Sequence, residues 1–154
     1  MIEYALRQSY EEMKTTLTDA KYDLNNDELK KAVNYRVGTF LHWLIDSYER
    51  VEKFAVVSQD DKSFFSGLRY ANNKLKHDTN TIKIYQRTGG FSFPISFPLS
   101  IPAIEFKWCG YENEANAKYK NQFDNYVSFI QDTDIMETSE KALLIIDALS
   151  TNGM

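Results

Sequence analysis

Two histidines carry the only imidazoles of this chain, and each stands among side chains that can share acid–base work with it. The richer neighbourhood is Leu68-Arg69-Tyr70-Ala71-Asn72-Asn73-Lys74-Leu75-Lys76-His77-Asp78. On a helix Arg69, Asn73 and His77 fall four apart and form one polar stripe beside an apolar face. Lys76 adds charge along its edge, and Asn72 adds a second amide. A guanidinium, an amide and an imidazole on successive turns can hold a phosphate and move a proton near neutral pH. RNA cleavage by the neighbouring 2′-hydroxyl can use such an arrangement. The same residues also spell an ordinary basic amphipathic helix ending at His77, where a cation complements the helix C-terminus. Around His42, Asp46 and Arg50 follow at i+4 and i+8. That spacing reads either as a His–Asp acid/base pair or as a half-buried helical histidine satisfied by a carboxylate. The second arrangement is the commoner on helices.

Other devices are missing from the sequence. Gly89-Gly90 stands alone, with no phosphate-cradling glycine loop around it, and no His-Glu-x-x-His occurs. One cysteine, Cys109, and two histidines argue against a His/Cys metal centre, so neither metal nor cofactor is expected. A lone cysteine also rules out an internal disulfide and points to a reducing compartment. Met1-Ile2-Glu3-Tyr4 is acidic and polar, with no basic stretch leading into an apolar one, and no apolar run is long enough to span a bilayer. The expectation is a cytoplasmic protein without a membrane partner. The net charge of −4 argues against a general nucleic-acid coat protein. The charge is uneven, however: Asp60 to Arg87 holds six Lys/Arg against three Asp, which leaves −7 for the rest. An anionic ligand is therefore expected near that segment.

The elements that must position these residues are mostly helical. With 154 residues, 43% hydrophobic and 26% charged, the chain reads as one globular domain, 1–154. Leu6, Tyr10, Met13 and Leu17 predict a helix over 2–22. Asn25 with Glu28 resembles a capping box for a long helix over 27–56, striped by Leu29, Val33, Val37, Phe40, Leu44, Tyr48 and Val51. Ser58 with Asp61 caps a third helix over 60–77, with Phe64, Leu68, Ala71 and Leu75 as its core face. Extended structure is expected within 81–108. Thr81 to Tyr85 alternates, Gly89-Gly90 turns, and Phe91, Phe93, Ile95, Phe97, Leu99 and Ile101 form a one-sided apolar row. Pro94, Pro98 and Pro102 recur every four residues and make that row an edge strand or an extended arm. Ile104, Phe106 and Trp108 then shift phase, as a second strand does. Helices return over 114–131 and 135–148, the last capped by Asp134 and followed by a fraying tail. The fold class is mainly α: an up-and-down bundle of about five helices with a β-rich, Pro/Phe-containing insertion, about 79–110, between helices 3 and 4. The apolar row must be covered by its own bundle or by another chain, which makes a homodimer the expected assembly.

Asn73, His77 and the surrounding helical order resemble the HEPN superfamily of prokaryotic toxins and abortive-infection proteins. The resemblance implies a dimeric up-and-down bundle and, in active members, a metal-independent ribonuclease. Its signature is an Arg, commonly followed by Asn, with a His four to six residues after the Arg. Here Asn73 and His77 match, Asn72 stands where the Arg belongs, and Arg69 lies earlier on the same face. On that resemblance His77 is the general acid/base, Arg69 the phosphate clamp and Asn73 the orienting residue, with Lys76 and Asn72 as binding residues. The implied function is RNA cleavage in a bacterial or phage defence or toxin–antitoxin system, with RNA or an antitoxin protein as partner. Two alternatives stand beside it. One is a non-catalytic interaction or nucleotide-binding module of the same fold, and the other an unrelated helical structural protein.

Overall fold

Apolar side chains recurring every three to four residues turn most of this chain into helix, and three of the helices start where a side chain meets their free N–H groups. The computed structural model describes residues 2–78, 80–87 and 103–152. In chain order they form α1 (Ile2–Ala20), α2 (Asp27–Val51), α3 (Gln59–His77), β1 (Ile82–Arg87), β2 (Ala103–Trp108), a 3₁₀ turn (Ala117–Tyr119), α4 (Lys120–Phe129) and α5 (Ile135–Asn152). The result is a mainly helical bundle with a two-stranded insertion between α3 and α4. Among the described residues no helix is long and apolar enough to cross a membrane.

Several boundaries differ from the sequence reading, each for a local reason. The cap of α2 is Asn26, not Asn25. Its side-chain oxygen accepts from the Glu28 and Leu29 N–H groups at 3.0 and 3.2 Å, while its amide donates to Asp23. α2 ends at Val51 rather than near Val56. The Glu52 and Ala55 N–H groups bond back to Tyr48 and Val51, and Phe54 and Val56 are left exposed in the connection to α3. α4 starts later than Glu114. There the Glu114 carboxylate takes the Asn116 N–H, and the Asn116 side chain takes the Lys118 N–H, so side chains satisfy groups that a helical turn would have used. α5 continues to Asn152, through residues expected to fray. Ser58 caps α3 on the Asp61 N–H, and Asp134 accepts from Glu137 at 2.9 Å, both as their spacing predicts.

α1 packs along α2 and α3 along α4, and α2 also meets α3 and α5. Their inner faces share one core, with Met13, Phe40, Phe65, Tyr126 and Ile135 fully buried. β1 and β2 pair antiparallel, Ile82 opposite Trp108 and Ile84 opposite Phe106. The α4–α5 connection fastens this strand pair to the bundle. The Trp108 backbone N–H donates to the Thr133 carbonyl at 3.1 Å, the Trp108 carbonyl accepts from the Asp132 N–H at 2.9 Å, and Lys83 ion-pairs with Asp132. Trp108 is thereby sealed in the core. The Gly89-Gly90 turn and the Phe91–Ile101 row with its prolines lie outside the described residues.

Candidate functional site

The two halves of α3 behave differently. From Phe64 to Ala71 it is buried on more than one side: Phe64, Phe65, Gly67, Leu68, Tyr70 and Ala71 are all in the core. The four-residue stripe read from the sequence underestimates this, because α3 packs on α2 and α4 at once. Gly67 permits the α4 contact. A Cβ there would lie 2.8 Å from Ile130 Cγ1 and 3.0 Å from the Asn125 carbonyl oxygen. Beyond Ala71 burial falls away: Asn72, Asn73, Lys74 and Leu75 are half-buried, and Lys76 and His77 are exposed.

That exposed half presents the candidate residues on two flanks. On one, Asn73 and His77 join Tyr70 and Lys74 in a pocket of about 190 Å³, closed opposite by Glu114, Asn116 and Tyr119. The Tyr70 hydroxyl donates to Glu114 at 2.7 Å, and Lys74 Nζ lies 3.6 Å from the same carboxylate. Lys74 also sits over the rings of Tyr70 and Tyr111. The Tyr70 hydrogen bond, the Asn116 N–H and Lys74 hold the Glu114 carboxyl below its usual range. Burial, then the Glu114 hydrogen bond, raises the Tyr70 phenol. The pocket's lysine is thus neutralised from within. Neither the Asn73 nor the His77 side chain makes a hydrogen bond or ion pair among the described residues, so an amide and an imidazole remain available to a ligand.

Tyrosines brace the pocket wall. The Tyr111 hydroxyl donates to Asp78 at 3.1 Å and lies 3.1 Å from Thr81 Oγ1, while Tyr126 donates to the Cys109 carbonyl. These bonds tie the chain after β2 to the end of α3.

On the other flank, Asn72 and Lys76 face α2. With Leu75 they line a groove of about 400 Å³ against Asn34, Tyr35, Gly38, Thr39 and His42. Arg69 belongs to neither pocket. It lies 3.2 Å from Glu49 and 3.9 Å from Glu52, with its guanidinium 6.0 Å from the Tyr48 ring centre. Tyr48 in turn stacks on Phe65 at 4.0 Å. Burial and the Glu52 carboxylate push the Tyr48 phenol up to about 12. Helix geometry explains the separation. Each residue turns the helix by about 100°, so residues four apart drift by about 40° and Arg69 and His77 differ by about 80°. His42 takes neither role read from the sequence. It is exposed, edge-on to Trp43 at 5.2 Å, and Asp46 pairs with Arg50 at 3.8 Å instead.

The chain matches no family model, no curated protein and no solved structure.

The sequence reading missed Glu114, Asn116 and Tyr119, which close the pocket from a segment expected to be helix. The dense tyrosines around them, Tyr111, Tyr119 and Tyr126, were the available signal. Among the described residues no three His, Cys, Asp or Glu side chains gather to hold a metal ion. The pocket offers hydrogen bonds from Asn73, Asn116 and His77 beside the half-exposed ring of Tyr119.

Proposed function

We propose that this chain is a HEPN-like helical module that binds a nucleotide or an RNA phosphate at the Asn73–His77 pocket without cleaving it, within a bacterial or phage defence or toxin–antitoxin system. The family part of the reading rests on the match of Asn73 and His77 and on the order of helices around them. One observation carries the non-catalytic part: Arg69 is engaged by Glu49 and Glu52 on the α2 side, so its guanidinium is not beside His77, and the lysine that shares the pocket, Lys74, is paired with Glu114. A homodimer belongs to the same reading. The test incubates the purified protein with labelled single-stranded RNA and follows both retention and fragment length. Retention of intact RNA that weakens in His77→Ala and Asn73→Ala is the expected result. RNA that neither binds nor breaks would overturn the proposal. Light scattering at high micromolar concentration tests the dimer, and a monomer there removes it.

A second reading, metal-independent endoribonuclease, is favoured by the state of His77. Its imidazole is exposed and its side chain bonded to no described residue, which leaves it open to a substrate proton. In that reading Arg69 leaves its carboxylates to clamp the scissile phosphate, and Asn73 orients it. Fragments produced by the wild type and lost in His77→Ala would select this reading over the first.

A further inference from the structure

Among the described residues Lys74 is the only lysine or arginine that lines the Asn73–His77 pocket. Arg69 is held on the α2 side, and Lys76 faces the other flank. Lys74 stands three residues before His77 and so shares its face of α3. Its ammonium lies 5.5 Å from the Tyr70 ring centre and 5.1 Å from that of Tyr111, and the two rings keep it at the pocket wall. Its partner is Glu114, but the three contacts of that carboxylate are unequal. The Tyr70 hydroxyl donates at 2.7 Å and the Asn116 N–H at 3.1 Å, whereas Lys74 stays 3.6 Å away, outside hydrogen-bond distance. The carboxylate is also the more enclosed of the two, with 11% side-chain exposure against 34% for the lysine. Lys74 can therefore turn away while Glu114 keeps both of its hydrogen bonds.

We infer that Lys74 is the phosphate contact of this pocket, and that a phosphodiester of a single RNA strand takes it in exchange for Glu114. The inference rests on the reading proposed above, in which the pocket binds RNA. Size and charge both select a strand over a free nucleotide. The pocket holds about 190 Å³, below the roughly 300–1,000 Å³ of sites that enclose a whole small molecule. One ammonium balances the single charge of a phosphodiester, whereas a phosphate monoester brings about two charges beside Glu114. Glu114 stays in place after the exchange. The phosphate thus gains a partner, while the pocket gains no surplus positive charge for cleavage.

Fluorescence anisotropy with a labelled single-stranded RNA tests it on the whole chain, with thermal melts to show that each variant folds. Lys74→Met removes the charge and keeps most of the stem; Glu114→Gln removes the charge and keeps an acceptor for Tyr70. Lys74→Met is expected to weaken binding about tenfold and to lower the slope of log K against log[salt] by about 1. Glu114→Gln is expected to tighten binding about fivefold, because the strand no longer has to break a part-exposed ion pair. The double variant is expected to bind like Lys74→Met. A Lys74→Met protein that binds like the wild type with the same slope overturns the inference, and a loss in His77→Ala then still upholds the reading of the pocket. Should Lys74→Met not fold, Glu114→Gln decides alone, and no gain there overturns the inference. A gain that persists in full in the double variant also overturns it, since the carboxylate then acts by repulsion only. Unlabelled AMP that displaces the RNA as well as an unlabelled strand of equal phosphate concentration overturns the choice of a phosphodiester. If neither the wild type nor Glu114→Gln binds the RNA, the reading and the inference fall together.

Discussion

Each flank of α3 is set by a glycine, and the two glycines do opposite things. Towards α4, Gly67 is pressed against Ile130 and the Asn125 backbone so closely that a methyl group has no room. Towards α2, Gly38 faces Leu75 at ordinary contact distance, and the absent side chain leaves a groove. The first glycine draws helices together and surrounds the pocket residues with a bonded frame of Tyr70, Lys74 and Glu114. The second keeps helices from filling the space between them and leaves Asn34, Asn72 and Lys76 unspent. The difference shows that similar side chains on one helix, an amide and a basic group four residues apart, acquire different chemistry from what stands opposite them.

The comparison can be broken most severely at its tight side. Tyr70 is buried where the pocket meets the core. Tyr70→Ala is expected to cost about 3–5 kcal/mol in urea unfolding, the usual price of an emptied aromatic site, and to open the Glu114 wall. A loss under about 1 kcal/mol would mean that α4 closes onto the space.

Alanine at the two glycines sharpens the contrast directly. Gly67→Ala forces α3 and α4 apart and should destabilise by about 1–3 kcal/mol. Gly38→Ala has room and gains helix propensity, so it should stabilise by about 0.5–1 kcal/mol. Equal signs for the two variants would remove the distinction between the flanks.

The bonded frame has a pH signature. Because the Glu114 carboxyl is held below its usual range, its contribution to stability is fully present above the ordinary glutamate value of 4.5 and is lost as pH falls through the lowered one. Urea melts in acid should therefore show the wild type losing stability in that window, with a shallower loss in Glu114→Gln. Identical slopes would mean that the Tyr70 and Lys74 contacts do not favour the ionised form in solution.

The smallest effects belong to the exposed imidazoles. His77→Ala and His42→Ala should each change unfolding stability by no more than about 0.5 kcal/mol, so any loss of ligand binding in His77→Ala is a local effect. A larger drop for His42→Ala would restore the helical pairing with Asp46 that the structure does not show.

Much of the fold was legible because helical periodicity is a local signal. The stripes of α1 and α2 name residues that are mostly buried, with Tyr10, Leu29 and Val51 half-buried, and Ser58 and Asp134 cap as their spacing says. Boundaries failed where side chains compete with the backbone, as at Glu114 and Asn116, or where an apolar pattern runs past the end of a helix, as at Phe54 and Val56. The candidate residues were legible as a polar stripe on α3. Their division between two flanks was not, because a stripe stepped by fours drifts around the helix, and what lies opposite each residue comes from α2 or from residues 114–119. The carboxylates that hold Arg69 are 17 and 20 positions away in the chain, beyond any local pattern.

Trp108 lends itself to optical use. Its indole N–H is buried and meets no acceptor among the described residues, whereas the chain's other tryptophan, Trp43, is half-buried on α2. An indole in dry surroundings emits at shorter wavelength than one that water can reach. In a Trp43→Phe background, the colour of the remaining emission follows the seam between the strand pair and the α4–α5 connection, while far-ultraviolet circular dichroism follows the helices. A red shift that precedes the loss of helix signal would time the detachment of the insertion from a bundle that is still folded.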